Sequence, residues 1–181
     1  MDEAKLKSEL LELVKTKAVV RGERTLASGK KSDFYIDGKQ VTLDPQGALV
    51  TAKLILSMIS GLKADAIGGP TLGADPIAAT VSLLSSQTGS PVRAFIVRKE
   101  AKKHGMQKMI EGPALRAGDR VVMVEDVITT GGSVLAAIEE VEKLGAKVVK
   151  LICLVDRNQG ADKILQPYNY SPIFSLSDLG L

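Results

Sequence analysis

Val121-Val122-Met123-Val124-Glu125-Asp126-Val127-Ile128-Thr129-Thr130-Gly131-Gly132-Ser133 is the stretch on which the reading of this chain turns. Its first four residues are apolar without polar alternation, the pattern of a strand covered on both faces in a parallel sheet. Two adjacent carboxylates follow, then a Thr/Gly turn, then a helix opening at Ser133. In an open α/β sheet, ligands bind beyond the carboxyl ends of the strands. A helix N-terminus preceded by free backbone N–H groups is a ready phosphate site. Gly131 and Gly132 let the backbone approach closely, and the hydroxyls of Thr129, Thr130 and Ser133 add donors. Carboxylates make poor phosphate ligands but good acceptors for hydroxyls. Glu125 and Asp126 therefore point to a sugar whose diol lies beside its phosphate; the plainer alternative is a helix N-cap flanked by surface acids. No Gly-Lys-Ser/Thr follows, so this is not a Walker A loop, and the spacing of a dinucleotide fingerprint is missing as well.

The same alternation extends in both directions. Upstream, Ala66-Ile67-Gly68 reads as a short strand that enters, through a Gly-rich turn, a helix over residues 74–87. Val92 to Val97 reads as another strand, and Arg120 to Val124 as the one quoted above, with a loop over Glu125 to Gly132. Downstream, a helix from Ser133 to Leu144 is closed by Gly145, and Lys147 to Val155 forms the last long strand; a further strand is expected near Ile173-Phe174-Ser175. Strands alternating with helices imply an open, mostly parallel sheet flanked by helices. Nearer the start, Leu6, Leu10, Leu13 and Val14 mark an amphipathic helix over residues 3–17. Thr25 to Lys39 reads as a hairpin or loop, and Asp44-Pro45 as an N-cap with proline at the first helical position. At 181 residues without repeats or a long linker, one domain is expected.

Composition narrows the class. One cysteine excludes an intrachain disulfide and a Cys-rich zinc site, and Cys153 lies inside an apolar strand. No apolar run approaches the ~20 residues that span a bilayer, and the N-terminal residues lack a secretory core; we expect a cytoplasmic protein with no membrane partner. The net charge of +3 gives weak support at best for nucleic-acid binding, and no nucleic-acid partner is expected. Between Arg98 and Pro113, five basic residues stand against two acidic ones, while the remaining 19 basic and 19 acidic residues balance. The excess positive charge is confined to one segment, which implies an anionic ligand there. A solvated basic face is the alternative.

The quoted stretch resembles the phosphoribosyl pyrophosphate motif of the type I phosphoribosyltransferases: four apolar residues, two acids, then a Thr/Gly loop. The resemblance implies that Glu125 and Asp126 hold the ribose 2- and 3-hydroxyls, while Val127, Ile128, Thr129, Thr130, Gly131, Gly132 and Ser133 wrap the 5-phosphate. Three further segments resemble the orotate-specific members. Thr25 to Asp37 is similar to their N-terminal hood, with residues 1–40 supplying it and Phe34 and Tyr35 placed to stack on a flat pyrimidine; aromatics plugging the core are the alternative. Arg98-Lys99-Glu100-Ala101-Lys102-Lys103-His104-Gly105 is similar to the mobile catalytic loop, and implies that Lys102 and His104 reach the pyrophosphate, with loop 98–113 shared between the subunits of a homodimer. Val155-Asp156-Arg157 ends the last long strand, where the planar fork of Arg157 can engage the carboxylate or imide edge of orotate; pairing with a surface acid is the alternative.

In placement, Gly68 to Pro76 matches the pyrophosphate-binding turn. Many relatives carry lysine there and at Ala27, where this chain has Thr71, Leu72 and Ala27. The resemblance implies transfer of ribose 5-phosphate from phosphoribosyl pyrophosphate to orotate, with Mg²⁺ as cofactor, no protein metal ligand, and Asp126, Lys102 and His104 as catalytic groups. Its rivals are a purine-specific relative and a regulator that senses phosphoribosyl pyrophosphate and binds nucleic acid.

Overall fold

Burial on both faces, expected from the unbroken apolar runs, is what organises the molecule. The computed structural model describes residues 2–25, 31–100 and 109–181. In the strand Arg120–Ile128 (β6), Val121 and Met123 belong to one hydrophobic layer while Val122 and Val124 belong to the other. The strand Lys147–Asp156 (β7) divides its residues likewise, with Leu151 and Cys153 on one side and Ile152 and Leu154 on the other. Each fully buried Leu or Ile of this kind contributes roughly 1.5–3 kcal/mol.

One layer is built by helices Glu3–Leu13 (α1), Pro45–Met58 (α3) and Ala74–Ser85 (α4), through Leu10, Leu54 and Val81 among others. The opposite layer is built by Gly132–Lys143 (α5) and Ala161–Leu165 (α6), through Val134, Ile138 and Leu165. Between them lies a six-stranded sheet in the order Ile110–Glu111 (β5), Arg93–Val97 (β4), Ala66–Pro70 (β3), β6, β7 and Tyr170–Ser175 (β8). All neighbouring pairs are parallel except β4 with β5. This is the expected open, mostly parallel sheet flanked by helices. A separate antiparallel ribbon joins Val19–Thr25 (β1) to Lys31–Ile36 (β2), and a short helix, Lys39–Thr42 (α2), links it to α3. Asp44 caps α3 as expected, accepting from the N–H groups of Gln46 (3.2 Å) and Gly47 (3.0 Å); its loss costs about 1 kcal/mol.

Several boundaries differ from the sequence reading. β6 does not stop at Val124: its ladder with β7 continues through Glu125↔Cys153 to Ile128↔Asp156, because β7 is long enough to pair with it. The expected loop over Glu125 to Gly132 shrinks to the turn 129–131, and both acids lie within a strand. α1 ends at Leu13 and passes into a π-helical turn, Val14–Ala18. β8 spans six residues rather than three, and the edge strand β5 and helix α2 were not anticipated.

The chain order reverses beside β3: β4 lies on one side of it and β6 on the other. β3 and β6 pair only from Ala66↔Val121 to Gly68↔Met123. Past that point they separate, and a crevice opens at their carboxyl ends.

Candidate active site

Into that crevice project the ends of three strands. A cavity of about 650 Å³ is walled by Thr71, Leu72 and Gly73 after β3, Arg98 and Lys99 after β4, Glu125 and Asp126 from β6, Ser133 from α5, and Lys39 from α2. Adjoining it, a recess of about 130 Å³ is formed by Glu125 and residues 127–134. Gly131, at φ +86°, turns the chain into α5, a conformation that costs other residues strain. The first N–H groups of α5 lack intrahelical partners and can serve an anion.

The two acids are tightly enclosed. Asp126 Oδ1 accepts from the Val127 N–H at 2.8 Å, and Lys39 Nζ donates to Asp126 Oδ2 at 3.3 Å. Glu125 Oε1 accepts the Asp126 N–H at 3.0 Å. A Cβ on Gly73 would fall 1.9 Å from Glu125 Oε1 and 2.3 Å from Asp126 Oδ1, so any side chain there would displace the two carboxylates. Gly38 is pressed against the other side of Asp126, where a Cβ would meet the Asp126 Cβ at 2.8 Å. Burial, reinforced by the charge of Asp126, pushes the Glu125 carboxyl up to about 9. Burial pulls the Lys39 ammonium down, but contacts with Asp37 and Asp126 outweigh it and hold it above the usual lysine value.

The shift at Glu125 has a measurable consequence. From the ordinary 4.5 up to about 9, the unfolded chain gives up this proton while the folded one keeps it. Rising pH across that window therefore favours unfolding, and the penalty is absent below it. Ligand-free Glu125→Gln is expected to melt above the parent near pH 8, with the gap closing near pH 5. A gap independent of pH would show that Glu125 is not held neutral.

At the end of β7, Arg157 is buried, with its guanidinium carbon 5.7 Å from the centre of the Phe34 ring and its Nε without a hydrogen-bond partner. Its N–H donates to the Ile128 carbonyl at 2.9 Å. The preceding Asp156 accepts the Tyr170 hydroxyl at 2.9 Å and the Asn158 N–H at 2.8 Å, which fixes the turn. Among the described residues no acid pairs with this guanidinium. Cys153 is the buried strand thiol expected, 3.1 Å from the Tyr170 hydroxyl, and burial raises its pKa.

The structure thus brings together Glu125, Asp126, Val127, Ser133, Arg98 and Lys99 around one cavity, and residues 127–133 around the recess. Phe34 and Arg157 meet each other, but neither lines the cavity or the recess. Phe34 and Tyr35 do not share a face: they are successive residues of β2, whose side chains alternate across the ribbon, and Tyr35 is exposed. Lys102 and His104 lie outside the described residues, as does Ala27. Arg98 is held at both levels, its N–H donating to Met109 O at 2.8 Å and its guanidinium 3.5 Å from Glu111. Lys39 and Gly38 were missed by the sequence reading, which had Gly73 only as part of the turn 68–76; a cation directly after the aromatic ribbon, in Asp37-Gly38-Lys39, was the available signal.

Comparison with known proteins places this geometry. A profile of the phosphoribosyl transferase domain matches residues 12–173. The orotate phosphoribosyltransferase of Streptomyces coelicolor is 44% identical over 181 residues, covering 97% of this chain and 98% of its own. That of Corynebacterium glutamicum is 45% identical over 180 residues, covering 98% and 96%. Among solved structures, the orotate phosphoribosyltransferase of Mycobacterium tuberculosis in complex with 5-phospho-alpha-D-ribosyl 1-diphosphate is similar at a TM-score of 0.81 and 35% identity, covering 97% of this chain and 99% of the other. An adenine phosphoribosyltransferase from Thermoanaerobacter pseudethanolicus, at 21% identity and a TM-score of 0.68, shares the fold.

Proposed function

This chain belongs to the phosphoribosyltransferase family, and we infer from its orotate-specific relatives and its site how it works. It transfers ribose 5-phosphate from 5-phospho-α-D-ribose 1-diphosphate to orotate, giving orotidine 5′-phosphate and pyrophosphate in pyrimidine biosynthesis. The observation that carries the residue assignments is the convergence, on one rim of the sheet, of the paired acids, the recess over 127–134 and the cations of 98–99.

In this reading Asp126 and Glu125 accept the ribose hydroxyls, and the turn from Thr129 to Ser133 takes the 5-phosphate on its N–H groups. Arg157 and Phe34 take orotate, the guanidinium meeting its carboxylate and the ring packing beside it. Arg98 and Lys99, with Lys102 and His104, stabilise the charge that builds on departing pyrophosphate. The nucleophile is a ring nitrogen of orotate, so the protein supplies geometry rather than an activated side chain. Mg²⁺, held by oxygens of the donor rather than by a side chain of this protein, would supply neutralisation of pyrophosphate charge while keeping waters of its own. Residues 1–40 act as the hood of a single domain. The working form is a homodimer that shares loop 98–113 and binds neither nucleic acid nor membrane. A lone buried thiol fits a cytoplasmic setting, and no helix among the described residues is long and apolar enough to cross a membrane.

The test follows orotate absorbance with the donor and Mg²⁺. Turnover of orotate, with none of adenine, hypoxanthine or uracil, is expected. Preferential use of a purine would overturn the base assignment.

A further inference from the structure

We propose that Lys39 is a positioning residue for the donor site: it holds the Asp126 carboxylate in the orientation that accepts the ribose hydroxyl, without itself binding the donor. The inference rests on the assignment of Asp126 to the ribose.

The grounds are geometric. Lys39 Nζ lies between two carboxylates, 2.9 Å from Asp37 Oδ1 and 3.3 Å from Asp126 Oδ2. Asp37 is itself fixed: its N–H donates to Ala18 O at 2.9 Å, and its carboxylate accepts from the Lys39 N–H at 3.2 Å and the Gln40 side-chain amide at 3.2 Å. The ammonium is therefore anchored on the ribbon side before it reaches across to β6. On Asp126, Lys39 engages Oδ2 while the Val127 N–H engages Oδ1, so the plane of the carboxylate is set from both ends.

The packing leaves Asp126 little other support. Gly38 and Gly73 press on it from two sides without offering a side chain. Its neighbour Glu125 is a second buried carboxyl, held neutral, that supplies no counter-charge. Among the described residues Lys39 is the cation paired with it. Without Lys39, the buried Asp126 carboxylate loses its counter-charge and turns toward solvent, which spoils it as an acceptor.

A double-mutant cycle on the full-length protein tests this, with calorimetric affinity for phosphoribosyl pyrophosphate in Mg²⁺ as the readout. Lys39→Met keeps the aliphatic stem and removes the charge; it should weaken donor binding on the order of tenfold. Lys39→Arg should restore most of the loss. In an Asp126→Asn background, Lys39→Met should add nothing, because the carboxylate it orients is gone. Full additivity of the two losses would overturn the proposal and make Lys39 a direct donor ligand, as would a Lys39→Met protein that binds the donor like the parent. If Lys39→Met does not fold, Lys39→Gln takes its place in the cycle. Failure of the underlying ribose assignment is separately visible, because Asp126→Asn alone would then leave donor binding unchanged.

Discussion

Arg157→Ala should raise the KM for orotate about 30- to 4000-fold while moving the donor KM by less than about threefold. Removing one partner of a buried, hydrogen-bonded charge pair costs roughly 2–5 kcal/mol, which sets that range. Arg157 is placed for such a pair: it is buried, held by its own N–H on Ile128, backed by the Phe34 ring, and carries an Nε without a hydrogen-bond partner among the described residues. That unsatisfied group also means the free protein loses little with the side chain, so the thermal midpoint should stay close to the parent's. Steady-state rates with each substrate varied in turn decide the matter. A rise confined to the donor constant would move Arg157 to the phosphates and remove the main support for orotate over purines.

Lys102→Ala should lower kcat by about 10²–10³, the usual loss when one group stabilising transition-state charge is removed. The specificity constant should fall in parallel, since a cation acting as pyrophosphate leaves contributes little to substrate binding. Melting should shift little, as is usual for substitutions outside the core. If loop 98–113 serves the neighbouring subunit, mixing Lys102→Ala with Asp126→Asn protein should restore activity, because exchanged dimers hold one site with both groups intact. Mixtures that exchange subunits yet stay as inactive as their parents would rule out the shared site.

The parts of the fold that could be read from the sequence are those written locally. The runs at 121–124 and 148–155, the Asp44-Pro45 cap and the turn at Gly131 each carry their instruction within a few residues. What could not be read depends on partners distant in the chain. Whether Glu125 and Asp126 end a strand or continue it is decided by how far β7 extends to pair with them. Lys39 reaches Asp126 across 87 positions, and Gly73 is required by acids some fifty residues later. β5 is two residues long, too short to show any period. The aromatic pair at 34–35 misled for the opposite reason: two adjacent rings look like one platform until strand alternation sends them apart.

The walls of the cavity come from residues as far apart as Lys39 and Glu140, and Glu125 among them is an acid whose burial burdens the empty protein. No partly assembled chain can therefore hold the donor, and the donor relieves a penalty that only the native state carries. At a hundred times its dissociation constant a ligand adds about 2.7 kcal/mol to the folded state. Resistance of the purified protein to proteases is therefore expected to rise with donor concentration.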